Sequence, residues 1–380
     1  MLVYFPERKK RSNSALMSAE PSDKVKTTSG PWVEVDLASL CANFAMIRKL
    51  APHAETGAVV KCDAYGLGMA PVARALFERE KCRTFFVAYP EEGATLRDIL
   101  KTGEAGIYVF NGPTPDTVAL FTRARLTPVL NSLEQAALWA ETFPSTAAAL
   151  HIDTGMNRLG APASAVDAIA ALRELNIDMV MSHLACASDP SNPMNDAQRN
   201  AFARVIAKFP TARKSLAASG GAMIGARFHF DLLRPGIALY GGSPFDADDR
   251  RIKPVAKLRA PVVQLRSLSP GETVGYDATF KALKSARTAT VALGYGDGFP
   301  IAGSGRAQAV LAGQRAPIAG RVSMDLISLA ISHLKTDVQV GEIATFFGDQ
   351  IRLFEAASAC RTTSYEMLTG LGGRIDRRYL

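Results

Sequence analysis

Cysteine is scarce in this chain, five among 380 residues, and the count is odd. Cys41, Cys62, Cys82, Cys186 and Cys360 show no CxxC spacing. A disulfide framework or a zinc centre needs paired or closely spaced thiols, so free buried thiols are expected and no metal site is. Long apolar runs are missing as well. None approaches the length that spans a bilayer, and no membrane partner is expected. From Met1 to about Gly30 there is no apolar core with a small-residue cleavage site. That segment (1–30) reads as a flexible tail, with Met17 as an alternative start and the cytoplasm as the expected location. Excess charge is modest, +8 overall, and scattered apart from Arg8, Lys9, Lys10 and Arg11. No aromatic-interleaved basic platform follows this run, so it reads as a solvated terminus and no nucleic-acid partner is expected. A GxGxxG after the first strand candidate is also absent, which argues against an open dinucleotide-binding sheet.

What is present is the composition of a globular protein, 48% hydrophobic and 21% charged, long enough for two domains. Over residues 31–250, short apolar runs alternate with helical stretches. The strand candidates are 56–61, 84–88, 107–110, 126–130, 148–152, 179–182, 216–219 and 237–240. Near-continuous apolar strands of this kind are covered on both faces. Helices are expected over 71–80, 91–100, 132–143, 164–175 and 196–209, the third opening with Ser132-x-x-Gln135. Eight strands alternating with helices predict an α/β fold, a (β/α)8 TIM-type barrel. Over residues 251–380 the texture changes to short strands separated by glycine-bearing turns, which predicts a mainly-β C-terminal domain with two short closing helices.

Chemistry-bearing residues collect at the ends of the barrel strands. Lys61 follows Val59-Val60 and precedes the loop Cys62–Gly68. The C-terminal strand ends form the active-site face of such a barrel. A partly desolvated lysine there is available as a nucleophile and base, as a Schiff base with an aldehyde cofactor requires. A lone lysine is more simply read as snorkelling from a strand end. Here, however, Arg158 follows the fifth strand candidate, His183 the sixth and Ser219-Gly220-Gly221 the seventh. Arg234-Pro235-Gly236-Ile237 leads into the eighth, where a phosphate is commonly bound.

VVKCDAYGLG, DTGMNRLG, SHLACASD, LLRPGIALYGG, VGYDATF, GYGDGFP, GRVSMD and SYEMLTGLGGRIDRRY occur in that order. Together they resemble the bacterial alanine racemase family over about nine-tenths of the chain. The resemblance implies a pyridoxal 5'-phosphate enzyme that interconverts L- and D-alanine, supplying D-alanine for peptidoglycan or its catabolism. It also implies a homodimer with shared active sites. Lys61 corresponds to the lysine that carries the cofactor as a Schiff base and acts as one base. Tyr276 corresponds to the opposing base, from the other subunit, and His183 to its hydrogen-bonding partner. Arg234 corresponds to the partner of the pyridine nitrogen. Tyr65, Ser219, Gly236, Ile237 and Tyr365 correspond to phosphate-holding positions. Arg158 corresponds to the arginine near the cofactor and the substrate carboxylate, Met324 to a backbone donor for that carboxylate, and Tyr295 to the entrance. Taken singly, each tyrosine, histidine or arginine is as readily a packing or ion-pair residue; the ordered set reverses that reading.

The sequence departs from the family at several points. His151 stands where a lysine, reported as carbamylated, is common. Ser323 replaces a common cysteine, Ala218 a common asparagine, and Phe299-Pro300-Ile301 lacks an arginine often found there. His151 leaves open a racemase of broader substrate range. A cofactor-binding protein on a bare barrel lacks a second domain and a Tyr276, and a fold-related decarboxylase would carry a cysteine-dependent motif that is not seen.

Overall fold

The structure, a computed structural model, describes residues 29–380. The tail and basic run expected over residues 1–30, and the alternative start at Met17, fall almost wholly outside the described residues. Strand β1 (Trp32–Val35) comes first, followed by a helix, Leu37–Leu50. The helix is started by Asp36, whose carboxylate accepts from the Ser39 N–H at 2.8 Å and so satisfies an otherwise unpaired amide.

Strands β2 (Glu55–Thr56) and β3 (Ala58–Val59) flank Gly57. They are followed by β4 (Thr84–Val87), β5 (Gly106–Val109), β6 (Thr127–Leu130), β7 (Ala147–His151), β8 (Asn176–Met181) and β9 (Arg213–Ser215). From β3 to β9 the strands lie side by side in chain order as a seven-stranded parallel sheet. Strand β10 (Leu232–Leu233) pairs in parallel with β2, and an Ala218–Arg234 bridge ties it to the chain leaving β9. The sheet thereby closes into the expected barrel. All four residues of β4 are buried, as a strand covered on both faces requires.

Three expectations need correction. The seventh strand is Arg213–Ser215, not 216–219: its side chains are polar because Arg213 reaches the barrel floor, where it pairs with Glu55 at 2.9 Å. The eighth is Leu232–Leu233, not 237–240. Residues Ile237–Tyr240 are buried, but their backbone turns, with Leu239 N–H donating to Gly236 O and Tyr240 N–H to Ile237 O. Arg234 therefore ends the eighth strand rather than leading into it. The helix expected over 164–175 is only a 3-10 turn, Ala163–Ala165, and a short helix, Val166–Ala170.

The second domain contains β11 (Ala256–Leu268), β12 (Thr273–Val274), β13 (Phe280–Lys281), β14 (Ala286–Val291), β15 (Gln308–Leu311) and β16 (Gln314–Pro317). It continues with β17 (Ile327–Ala330), β18 (Ile343–Phe347) and β19 (Asp376–Tyr379), with helices Leu353–Ala359 and Ser364–Thr369 before the last strand. The long β11 runs antiparallel to β1, β14 and β18 and shifts register twice along its length. Strand β1, which the pattern places with the barrel segment, belongs to this sheet, between β11 and β19. Val33 and Val35 are wholly buried there. Among the described residues no helix is long and apolar enough to cross a membrane.

Candidate active site

A cleft of about 1230 Å³ opens at the C-terminal ends of the barrel strands. It is lined by Lys61, Tyr65, Arg158, His183, Ser219, Arg234, Gly236, Ile237 and Tyr365, nine of the positions expected from the sequence. Lys61 stands just past β3, half-buried, with Nζ 5.9 Å from the Phe110 ring centre. The chain after it is unusual. Cys62, Asp63, Ala64 and Tyr65 all have positive φ, from 51° to 58°, and Gly66 follows at 81°. These L-residues make a left-handed turn, each in a sparsely populated conformation. Neighbours hold it there. Cys62 N–H donates to Glu92 Oε1 at 2.7 Å, and Met69 N–H to Asp63 Oδ1 at 2.6 Å. From the second domain, Arg377 donates to Gly66 O at 2.8 Å and Tyr379 Oη to Leu67 O at 3.1 Å. The lysine is thus set by both domains, and Glu92 is a supporting residue that only its three-dimensional contacts reveal.

Hydroxyl and amide donors gather beside the end of β10, whose chain runs next to the strand that leads to Lys61. Ser219 Oγ accepts from the Gly236 N–H at 2.9 Å and the Ala238 N–H at 3.3 Å, leaving its own O–H to donate. A Cβ on Gly236 would lie 2.2 Å from Tyr65 Oη, so only glycine lets that phenol approach the backbone. The Tyr65 ring stacks on Tyr240 at 4.6 Å, and burial raises its phenol well above its ordinary range, which keeps it a neutral donor. Ser364, beside Tyr365, is buried in the same cleft, and its Oγ has no partner among the described residues. The sequence reading did not single it out; its place next to Tyr365 was the available signal. This donor set fits a phosphate, whose oxygens accept several hydrogen bonds.

Arg234 is 1% exposed. Its guanidinium donates to Ser215 Oγ and, at 2.6 Å, to Ser182 O. Burial lowers its pKa to about 9, so it remains charged at neutral pH. His151 and His183 are pushed down, to about 4 and about 3, by burial first and then by nearby charges including Arg234. Both imidazoles are neutral at pH 7. The cleft combines cationic Lys61, Arg158 and Arg234 with neutral donors, a setting for an anionic ligand.

Tyr276, Tyr295 and Met324 do not line this cleft. They lie on the second domain, 69%, 40% and 54% exposed. Tyr276 sits in the turn between β12 and β13, whose Asp277 pairs with Arg321. Tyr295 N–H donates to Ser323 O at 3.0 Å and Gly296 N–H to Met324 O at 2.8 Å, so Tyr295 and Met324 share one surface. The Ser323 backbone contributes here whatever its side chain. One chain thus brings the expected residues together in two groups.

The family description "Alanine racemase, N-terminal domain" matches residues 35–244, and "Alanine racemase, C-terminal domain" matches 255–379. An alanine racemase of Methylobacterium nodulans is 41% identical over 359 residues, 92% of this chain and 96% of its own. A catabolic alanine racemase of Agrobacterium fabrum is 42% identical over 355 residues, 91% of each chain. The crystal structure of alanine racemase from Bartonella henselae with covalently bound pyridoxal phosphate superposes with a TM-score of 0.88 at 33% identity. It covers 93% of this chain and all of that one. With both domains matched and a lysine-bearing cleft at the barrel mouth, the chain belongs to the alanine racemase family.

Proposed function

We propose that this chain interconverts L- and D-alanine, using pyridoxal phosphate bound through Lys61, and that two copies complete each site. The observation that carries the reading is the Lys61 amine at the mouth of a cleft that also holds a cradle of phosphate donors. In this reading Tyr65, Ser219, Gly236, Ile237, Tyr365 and Ser364 hold the phosphate. Arg234, a donor at neutral pH, would serve the ring nitrogen of the bound cofactor and leave it unprotonated. Bound there, the cofactor would acidify the substrate α-carbon by delocalising its charge.

The chain's own residues then move one proton. Racemisation takes it from one face of the α-carbon and returns one to the other, so two fixed groups are needed on opposite faces. Lys61 Nζ serves one face. Tyr276 Oη serves the other and comes from a second copy, because in its own chain Tyr276 stands outside the cleft on the second domain. His183 orients that phenol, Arg158 and the Met324 N–H bind the substrate carboxylate, and Tyr295 frames the entrance. A two-fold dimer would seat each Tyr276 surface on the other copy's barrel mouth.

Turnover of L- to D-alanine by the purified protein with added pyridoxal phosphate tests the reading. Lys61→Ala should abolish turnover, and Tyr276→Phe should lower it by about a hundredfold or more, as loss of an acid–base group does. Wild-type protein that binds no pyridoxal phosphate would refute the proposal.

A further inference from the structure

Gln198 lies in the second turn of the helix Pro193–Ile206, is 1% exposed, and has no part in the roles above. Its amide makes three contacts, all to the loops that leave β7 and β8. Oε1 accepts from the Ala185 N–H at 2.8 Å. Nε2 donates to His183 O at 2.9 Å and to Thr154 Oγ1 at 3.3 Å. The first two partners are backbone groups, one only a donor and the other only an acceptor, so the amide can sit one way round only. Its second N–H is then directed at Thr154, whose hydroxyl also lies 2.7 Å from Ser182 Oγ.

Two loops therefore meet on this side chain. His183 and Ala185 belong to the loop after β8, and Thr154 to the loop after β7, which carries Arg158. Each loop is also held by itself. The β7 loop is closed at its base by Asp153 N–H donating to Ala161 O at 2.9 Å and Ala161 N–H donating to His151 O at 2.8 Å. The later part of the β8 loop is held by Asn195, three residues before Gln198 on the same helix face, which donates to Asp189 O at 2.9 Å and Cys186 O at 3.3 Å. Between the loops, among the described residues, the side-chain hydrogen bonds all pass through Thr154, to Ser182 directly or to His183 by way of Gln198. The β7 loop also packs on the Gln198 stem: a Cβ on Gly155 would lie 3.8 Å from Gln198 Cγ. Burial makes these bonds consequential, because a buried amide left without partners is costly.

We propose that Gln198 is a positioning residue: it fixes the Arg158 loop and the His183 loop at one setting relative to each other. It touches neither substrate nor cofactor and acts only through the loops that do. A misplacement of about 1 Å between reacting groups slows a reaction by about a hundredfold, so a rigid link between two such loops matters to rate. That the loops serve the alanine carboxylate and the Tyr276 phenol rests on the racemase reading; the coupling of the loops does not.

Hydrogen–deuterium exchange of the protein loaded with pyridoxal phosphate measures the coupling directly. Gln198→Leu removes all three bonds at similar volume. Peptides covering 153–160 and 182–188 should then exchange about threefold faster or more, while peptides from β11 keep their wild-type rates. Thr154→Val should loosen 153–160 and leave 182–188 nearly unchanged. Unchanged exchange in both loops of Gln198→Leu, or faster exchange spread evenly over the chain, overturns the proposal. Kinetics give a second readout. Thr154→Val should raise KM for alanine about fivefold, as loss of one hydrogen bond does, with little change in kcat. Gln198→Leu should raise KM similarly and lower kcat as well, because the His183 loop is released too. Wild-type kinetics in both variants, or a kcat loss in Thr154→Val as large as in Gln198→Leu, overturns it. Absence of turnover in the wild type would strike the racemase reading and leave the exchange result to decide this one. Should Gln198→Leu fail to fold, Thr154→Val still decides it: faster exchange confined to 153–160 upholds the link, and unchanged exchange there overturns it.

Discussion

Two histidines of the cleft, His151 buried and His183 half-buried, give it a dependence on pH that its arginines do not. His151 titrates at about 4 and His183 at about 3, against an ordinary 6.5. The unfolded chain takes up protons near 6.5 that the folded chain refuses, so between these values the unfolded form binds more protons. Stability from these residues is complete above about pH 6.5 and is lost as pH falls towards 4 and below. The urea midpoint should be lower at about pH 5 than at about pH 7.5, and His151→Gln should flatten part of that slope. A midpoint that is equal or higher at the acid end would contradict this. At this scale the motifs located Lys61, Arg158, Ser219 and Arg234, because each stands in a short ordered string. They did not reveal what orients His151. Asn131 follows the neighbouring strand β6 and Gln135 lies on the helix after it, and only the pairing of β6 with β7 brings them to the ring. Ser364 escaped notice for a similar reason: a serine beside a tyrosine is unremarkable until its hydroxyl is buried without a partner.

Among the elements, the helix Leu133–Thr142 shows a local signal met in half. Ser132 Oγ accepts from the Gln135 N–H at 3.2 Å, as the Ser-x-x-Gln pattern requires. The Gln135 side chain does not reach back to Ser132; it accepts from the Asn131 N–H, one residue earlier. Ser132→Ala should cost about 1 kcal/mol, read as a shift of the denaturation midpoint. Gln135→Ala should in addition release Asn131, and would be seen by NMR as a moved or broadened His151 ring signal. Strands covered on both faces were legible from their apolar runs, and β4 to β8 lie where expected to within a few residues. The run Ile237–Tyr240 misled because burial alone does not distinguish a strand from a buried turn, and Gly236 starts the turn. Conversely, Arg213 and Lys214 hid β9 because they are polar at the barrel floor. The left-handed turn after Lys61 was beyond any pattern, since of Cys62, Asp63 and Ala64 only the aspartate is enriched at positive φ, and the three are held there by Glu92, Met69 and the second domain.

For the molecule as a whole, the placement of β1 makes the second domain discontinuous. Its sheet takes Trp32–Val35 from before the barrel and everything else from after it. A fragment of residues 251–380 would lack the strand between β11 and β19 and leave both edges unpaired. Such a fragment should aggregate or show no cooperative unfolding, whereas the same fragment with residues 31–36 joined to it through a flexible linker should be more soluble and unfold in one step. Thermal unfolding followed by circular dichroism separates these outcomes. The same arrangement bears on mechanical load. Strands β1 and β19 are parallel neighbours, paired from Trp32–Asp376 to Val35–Tyr379. Traction applied ahead of Trp32 and beyond Tyr379 draws them past each other lengthwise, so their hydrogen bonds are strained together rather than unzipped in turn. The barrel is threaded between β1 and the rest of the sheet, off the line of tension. The cleft should keep its shape under stretching until that short ladder shears.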